Sequence, residues 1–175
     1  MEATKARIVG PTDGTAAVLR AIGVRFMVDG AESGGGFSLV EHAMPPRALA
    51  APLHRHTHED EYSYVLQGRL GAQLGEEVVV AAAGDLVFKP RGQWHTFWNA
   101  GDEPARILEI ISPAGFEGYF AELTSRPADA PPPTPDEIAE VAARYGLELD
   151  FESVPGLIAA HGVHFDPMDP AELFI

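Results

Sequence analysis

The stretch "PLHRHTHEDEY", Pro52 to Tyr62, sets three histidines at alternate positions and follows them with three acidic residues. In a strand, residues i and i+2 point the same way with Cα atoms roughly 6.5 to 7 Å apart, so an H-x-H pair can aim two imidazoles at one ion. "HRHTH" contains two overlapping pairs of this kind. If the strand ran straight on, His54, His56 and His58 would share a face, and Glu61, an odd number of positions away, would point to the other. A turn through Thr57 to Asp60, made of turn-forming polar residues, resets that parity and brings Glu61 back inward on a returning strand. This groups His54 and His56 with Glu61. It leaves His58, Glu59 and Asp60 on the turn, with Glu59 and Asp60 as a solvated charge run.

Outward from this stretch, residues from about Val24 to Ser112 form short apolar runs punctuated by glycine and proline, among them "VRFMVDG", "YSYVLQG", "EVVVAAAGD", "LVFKPRG" and "ARILEIISP". Each is rich in β-branched or aromatic residues and ends at a turn former. Many such strands at close spacing predict an all-β antiparallel sandwich or barrel, and no intervening stretch is long enough for the crossover helices of a βαβ fold. The character changes near Gly115. "GFEGYFAELTSR" predicts a short helix with Phe116, Tyr119, Phe120 and Leu123 on one face. "PADAPPPTP", Pro127 to Pro135, reads as a stiff surface connector. A second helix follows, capped by Thr134, with Pro135 at its first position, Glu137 completing a capping box and Gly146 ending it. Ile138, Val141, Ala142 and Tyr145 line one face, too little for an independent domain. We therefore expect a barrel over residues 20–113 and a C-terminal helical extension over 114–175, packed on the barrel or on a dimer mate.

Composition excludes several function classes. The net charge of −14, from 26 acidic against 12 basic residues, repels phosphate backbones and anionic lipid, so no nucleic-acid or membrane partner is expected. The chain has no cysteine, which removes disulfides, thiolate metal sites and thiol nucleophiles. A metal would need N and O ligands. No apolar run approaches the roughly 20 residues of a membrane span, and "MEATKARIVG" lacks a signal-peptide core, so the expectation is a soluble, cytoplasmic protein.

A second constellation, "GDLVFKPRGQWHTFWN", places Gly84, Pro90, Gly92, His95 and Asn99 in order. Together the two stretches resemble the cupin superfamily. Its first motif runs G, five residues, H-x-H, three or four residues, E, six residues, G. His54, His56, Glu61 and Gly68 fit it, with Ala48 where the leading glycine would stand. Its second motif, G, five residues, P-x-G, two residues, H, three residues, N, is matched at every position, and 15 residues separate Gly68 from Gly84. The resemblance covers roughly residues 20–113. It implies a double-stranded β-helix, a jelly-roll barrel, holding one divalent metal with His54, His56, Glu61 and His95 as ligands. Fe, Mn, Ni, Co, Cu and Zn all suit such a donor set.

Three imidazoles and one carboxylate leave coordination positions open, for an anionic substrate oxygen, for O₂ on a redox metal, or for Lewis-acid work. The local pattern is similar to that of quercetin dioxygenase-like bacterial cupins, which implies a dioxygenase acting on a small enol, diol or flavonol-like molecule. The alternatives are a non-catalytic module that binds metal and a small ligand, and a metal-dependent isomerase or cyclase. Alternation places Ser63 inward beside Glu61, where its small side chain would widen the cavity, and Phe97 inward with His95. His42, Arg47, His58 and Arg91 are candidates for polar pocket or rim positions, the arginines for a substrate carboxylate. Exposed sheet edges and the habit of the family imply a homodimer.

Overall fold

The computed structural model describes residues 5–126 and 131–173. Two antiparallel sheets face each other. The first contains β1 (Thr15–Leu19), β2 (Ile22–Val28), β3 (Ser38–Met44), β5 (Asp60–Gln67), β8 (Leu86–Lys89) and β10 (Ala105–Ser112), in the order β1-β2-β3-β10-β5-β8. The second contains β4 (Leu53–His56), β6 (Arg69–Leu74), β7 (Glu77–Ala82), β9 (His95–Asn99) and β11 (Leu147–Asp150), in the order β11-β4-β9-β6-β7. The expected jelly roll is therefore the fold. Alternation decides which side chains enter it. Along β10, Ala105, Ile107, Glu109 and Ile111 are buried while the residues between them are half-buried. The inner faces meet through Ile22, Met44, Val65, Leu70, Val87, Phe97 and Ile107.

Two glycines show why the chain takes these paths. Gly92 has φ +78, a left-handed conformation that costs glycine little, and its N–H donates to the His56 carbonyl at 2.7 Å. That bond ties the loop before His95 to the end of the His54–His56 strand. Gly71 lies opposite Trp98 in the β6–β9 ladder, and a Cβ there would sit 2.3 Å from the indole. The motif residue Asn99 acts as a clip: its Nδ2 donates to the carbonyls of Met44, Pro45 and Glu103, and its Oδ1 accepts from Gly101 N.

The C-terminal segment contains α1 (Glu117–Thr124), α2 (Pro135–Arg144) and α3 (Ser153–His161). Both expected helices form, and the Thr134–Glu137 capping box is present on both sides. Phe116, Tyr119 and Phe120 pack against Val24, Val40 and Ile111. The extension is not wholly helical, however. Between α2 and α3 it adds β11 as an edge strand beside β4, pairing Leu149 with His54 and Leu147 with His56. It therefore completes the sheet that carries two of the histidines. Helix α3 had no clear signal because Pro155 and Gly156 interrupt its pattern, although proline is tolerated in a first turn. It covers Trp98, with Leu157 and Val163 packed on the indole's cluster. Of the expected connector, residues 127–130 lie outside the described residues. Its described residues, 131–135, are exposed apart from the half-buried Pro133, as a surface connector would be, and Pro133 and Pro135 also border a cavity. Among the described residues no helix is long and apolar enough to cross a membrane.

Candidate metal centre

His54 and His56 point inward from β4 while Arg55 between them points out to Glu148, 2.7 Å away. His95 opens β9 directly opposite His54. Glu61 enters from the other sheet, after a turn over Thr57 to Glu59 that performs the expected change of parity. One ligand atom from each of His54, His56, Glu61 and His95 lies within 4.8 Å of the other three, and all four residues are buried.

Ring tautomers follow from the partners. The Nδ1 of His54 lies 2.8 Å from the Pro52 carbonyl and that of His95 2.9 Å from the Gln93 carbonyl. A carbonyl only accepts, so both Nδ1 atoms carry the proton and both Nε2 atoms present lone pairs. Burial holds the pKa of His54 well below its ordinary value, helped by His95 and His56, and burial lowers that of His95, so the rings are neutral near pH 7. His95 Nε2 then faces Glu61 Oε2 at 3.2 Å, acceptor against acceptor. Both ring nitrogens of His56 are buried with no hydrogen-bond partner, its Nε2 3.3 Å from Glu61 Oε1. The imidazole nitrogens that converge on Glu61 have no hydrogen-bond donor among them to satisfy their lone pairs, an arrangement that fits a divalent cation, and no sulfur ligand is needed.

Glu59 departs from the expected solvated charge run. It is 7% exposed, and its Oε2 lies 3.6 Å from His56 Nδ1. At that separation the carboxylate makes no hydrogen bond to the ring, so it places a charged group behind His56 without setting its tautomer. The His56 ring is also wedged against Phe116, centroids 4.3 Å apart, so the C-terminal segment holds this imidazole in place.

Sequence reasoning missed the charges behind Glu61. Lys89 is fully buried, its Nζ 3.0 Å from Glu61 Oε2 and 3.0 Å from Glu109 Oε1. It also lies 4.4 Å over the Phe97 ring. The Ser63 hydroxyl donates to Glu109 Oε2 at 2.7 Å. Burial acts to raise the Glu61 pKa, but Lys89, His56 and His95 outweigh it and hold the carboxyl well below its ordinary range. The signal was available: "ARILEIIS" alternates strictly and puts a glutamate in register with Ile107 and Ile111 on the inner face.

The cluster opens into a cavity of about 430 Å³. His54, His56, Glu61, Glu109 and His42 form its polar end, and Phe97, Phe116, Tyr119, Phe120, Ile138 and Phe151 supply apolar wall. Much of that wall belongs to the C-terminal segment. Of the expected pocket residues, His42 and Phe97 reach the cavity. Ser63 lies beneath it, fully buried and bonded to Glu109. Arg47 pairs with Asp102, Arg91 with Asp60, and His58 is exposed on the turn.

Comparison with known proteins agrees with this geometry. Residues 40–111 match the Cupin domain family. The chain is similar to the tetracenomycin polyketide synthase protein TcmJ of Streptomyces glaucescens, 29% identical over 85 residues, which cover 49% of this chain and 57% of that one. It is similar to polyketide synthase CurC of Streptomyces cyaneus, 37% identical over 34% of this chain and 39% of the relative. It is also similar to oxidoreductase iacF of Pestalotiopsis fici, 33% identical over 42% and 44% of the two chains. The matches thus span about half the length of these relatives. Among solved structures, the polyketide cyclase RemF of Streptomyces resistomycificus superposes with a TM-score of 0.54 and 27% identity, covering 62% of this chain and 80% of that one. KdgF of Halomonas sp. superposes with a TM-score of 0.57 over 65% of this chain and 99% of that one, at 16% identity, a likeness of fold alone.

Proposed function

Because this chain belongs to the cupin superfamily, we propose that it is a metal-dependent enzyme of enol chemistry, a cyclase or isomerase acting on a phenolic or polyketone-like molecule. The observation that carries this reading is the cavity itself, in which His54, His56 and Glu61 of the convergent cluster, together with His42 and Glu109, form the polar end of a chamber otherwise walled by aliphatic and aromatic side chains. Such a chamber suits a ligand with oxygens along one edge and a planar apolar body. The likeness to a polyketide cyclase and to proteins named for polyketide synthesis supports the same class.

His54, His56, Glu61 and His95 would hold one divalent ion. Bound there, it supplies a Lewis acid for ligand oxygens. The protein's own groups do the rest. Lys89 keeps Glu61 ionised and fixed, the carbonyls of Pro52 and Gln93 set the imidazole tautomers, and Phe116 braces His56. Phe97, Tyr119 and Phe120 exclude water from the ligand body. A dioxygenase is the second reading, favoured by the likeness to an oxidoreductase and by a donor set that also accepts redox metals. Incubating zinc-, manganese- and iron-loaded protein with phenolic polyketones, with oxygen uptake and product mass both followed, separates the two. Cyclisation or isomerisation without oxygen uptake supports the first reading, and uptake coupled to ring opening supports the second. No conversion with any metal would overturn both.

The outer faces of β5 and β8 expose Tyr64, Leu66, Leu86 and Phe88, a surface suited to a second copy of the chain. A monomeric mass by light scattering at tens of micromolar would contradict a homodimer.

A further inference from the structure

Besides the clustered ligands, the ionisable side chains lining the cavity among the described residues are Arg20, His42, Glu109 and Tyr119. Three of them are committed elsewhere or poorly matched to proton transfer near neutral pH. Arg20 donates to the Phe165 carbonyl and lies 4.5 Å over the Phe165 ring. Tyr119 is kept as a neutral phenol by burial. His42 donates from Nδ1 to the Gly23 carbonyl at 3.1 Å, and burial holds its pKa at about 4, so its Nε2 is a weak acceptor.

Glu109 differs. Its two oxygens are anchored, one by the Ser63 hydroxyl and one by Lys89, and each keeps a further lone pair. Because Lys89 Nζ also lies 3.0 Å from Glu61, the Glu109 and Glu61 oxygens that flank it are no more than about 6 Å apart. A carboxyl on a rigid central strand thus stands beside the histidine cluster, at the polar end of the cavity. We propose that Glu109 is the proton-transfer residue of this cavity, acting on an enolisable or phenolic ligand whose oxygens face the cluster. This rests on the enol chemistry proposed above.

In the step, a ligand C–H or O–H bond breaks, the proton passes to a Glu109 oxygen, and the bonding pair stays on the ligand as enolate or phenolate. The proton returns to the rearranged ligand or leaves to water, so no oxidant is consumed. Glu109 is faced by Lys89 from β8 and by Glu61 and Ser63 from β5, and His42 on β3 lines the same cavity. Burial pushes its pKa up, Lys89 pulls it down, Glu61 pushes it up and Ser63 pulls it down, with the balance at about 7. That balance suits a group that both takes and returns a proton near neutral pH.

The test uses the full chain loaded with zinc, which is redox-inert, and a peri-hydroxylated tetralone as probe. Calorimetry reads binding, proton NMR in D₂O reads exchange of the methylene beside the ketone, and infrared difference spectroscopy reads the stretch of a newly protonated carboxyl. The wild type is expected to bind, to exchange and to show the carboxyl band. Glu109→Gln is expected to bind within about threefold of the wild type, to lose the band and to exchange at least about 100-fold more slowly. Should that variant not fold, Glu109→Asp keeps the charge on a shorter arm and is expected to bind normally and exchange about tenfold more slowly. Exchange at the wild-type rate in either variant, or a wild type that binds the probe without exchange or band, overturns the role of Glu109 and leaves the functional reading standing. A wild type that does not bind the probe overturns that reading, and the role of Glu109 with it.

Discussion

Replacing Lys89 with methionine removes one charge from the centre of the fold while nearly keeping its volume. The ammonium is fully buried between two carboxylates at 3.0 Å each. At an effective dielectric constant of about 20, each contact is worth roughly 5 kcal/mol of gross attraction, much of it offset by the cost of taking the ammonium out of water. The variant keeps none of the attraction and strands Glu61 and Glu109 in the interior. Breaking a buried pair from one side costs about 3–5 kcal/mol, and that is the loss expected in urea unfolding at pH 8. Two further measurements tie the loss to charge. Adding Glu109→Gln removes one stranded carboxylate, so the double variant should be more stable than the sum of the singles by at least about 1 kcal/mol. Zinc neutralises the other, so its stabilising effect should be larger in Lys89→Met than in the wild type. A Lys89→Met protein within about 1 kcal/mol of the wild type, or strict additivity in the double variant, would refute the reasoning.

Acid should destabilise the fold partly through His42. Its pKa drops from 6.5 to about 4 because burial disfavours the imidazolium, so the unfolded chain takes up a proton at higher pH than the folded one. The stabilisation is therefore complete above pH 6.5 and lost as pH falls toward 4, by about 3 kcal/mol. His42→Asn, which keeps a donor for the Gly23 carbonyl, should show a shallower pH dependence in urea melts, and identical slopes would contradict the assignment. Gly71→Ala drives a methyl against the buried Trp98 indole and should cost at least about 1–3 kcal/mol with a shifted tryptophan emission, whereas unchanged melts would mean that α3 yields freely.

The barrel and the convergence of His54, His56, Glu61 and His95 were legible because both depend on period-two alternation, which "HRH", "DEYSYV" and "HTFWN" display openly, with Gly92 and Asn99 fixing the loops around them. What stayed hidden depends on covering contacts. Glu59 reads as solvent-facing in a charged run, yet it is buried behind His56 because the chain between β4 and β5 folds back on the ligand strand. Strand β11 is too short and polar to announce itself, and it forms because β4 offers a free edge. Much of the cavity wall comes from a segment that no local pattern connects to the histidines. Lys89 and Glu109 were readable from parity but look like surface charges until each is placed against the other.

The central claim is that the inward histidines and Glu61 form one metal centre. Anomalous diffraction from crystals of zinc-loaded protein, paired with elemental analysis of the same sample, tests it directly. The expected result is about one zinc per chain, with its peak among His54 Nε2, His56 Nε2, His95 Nε2 and a Glu61 carboxylate oxygen. Substoichiometric zinc, or a peak held by residues outside the cluster such as His58 or His164, would contradict it.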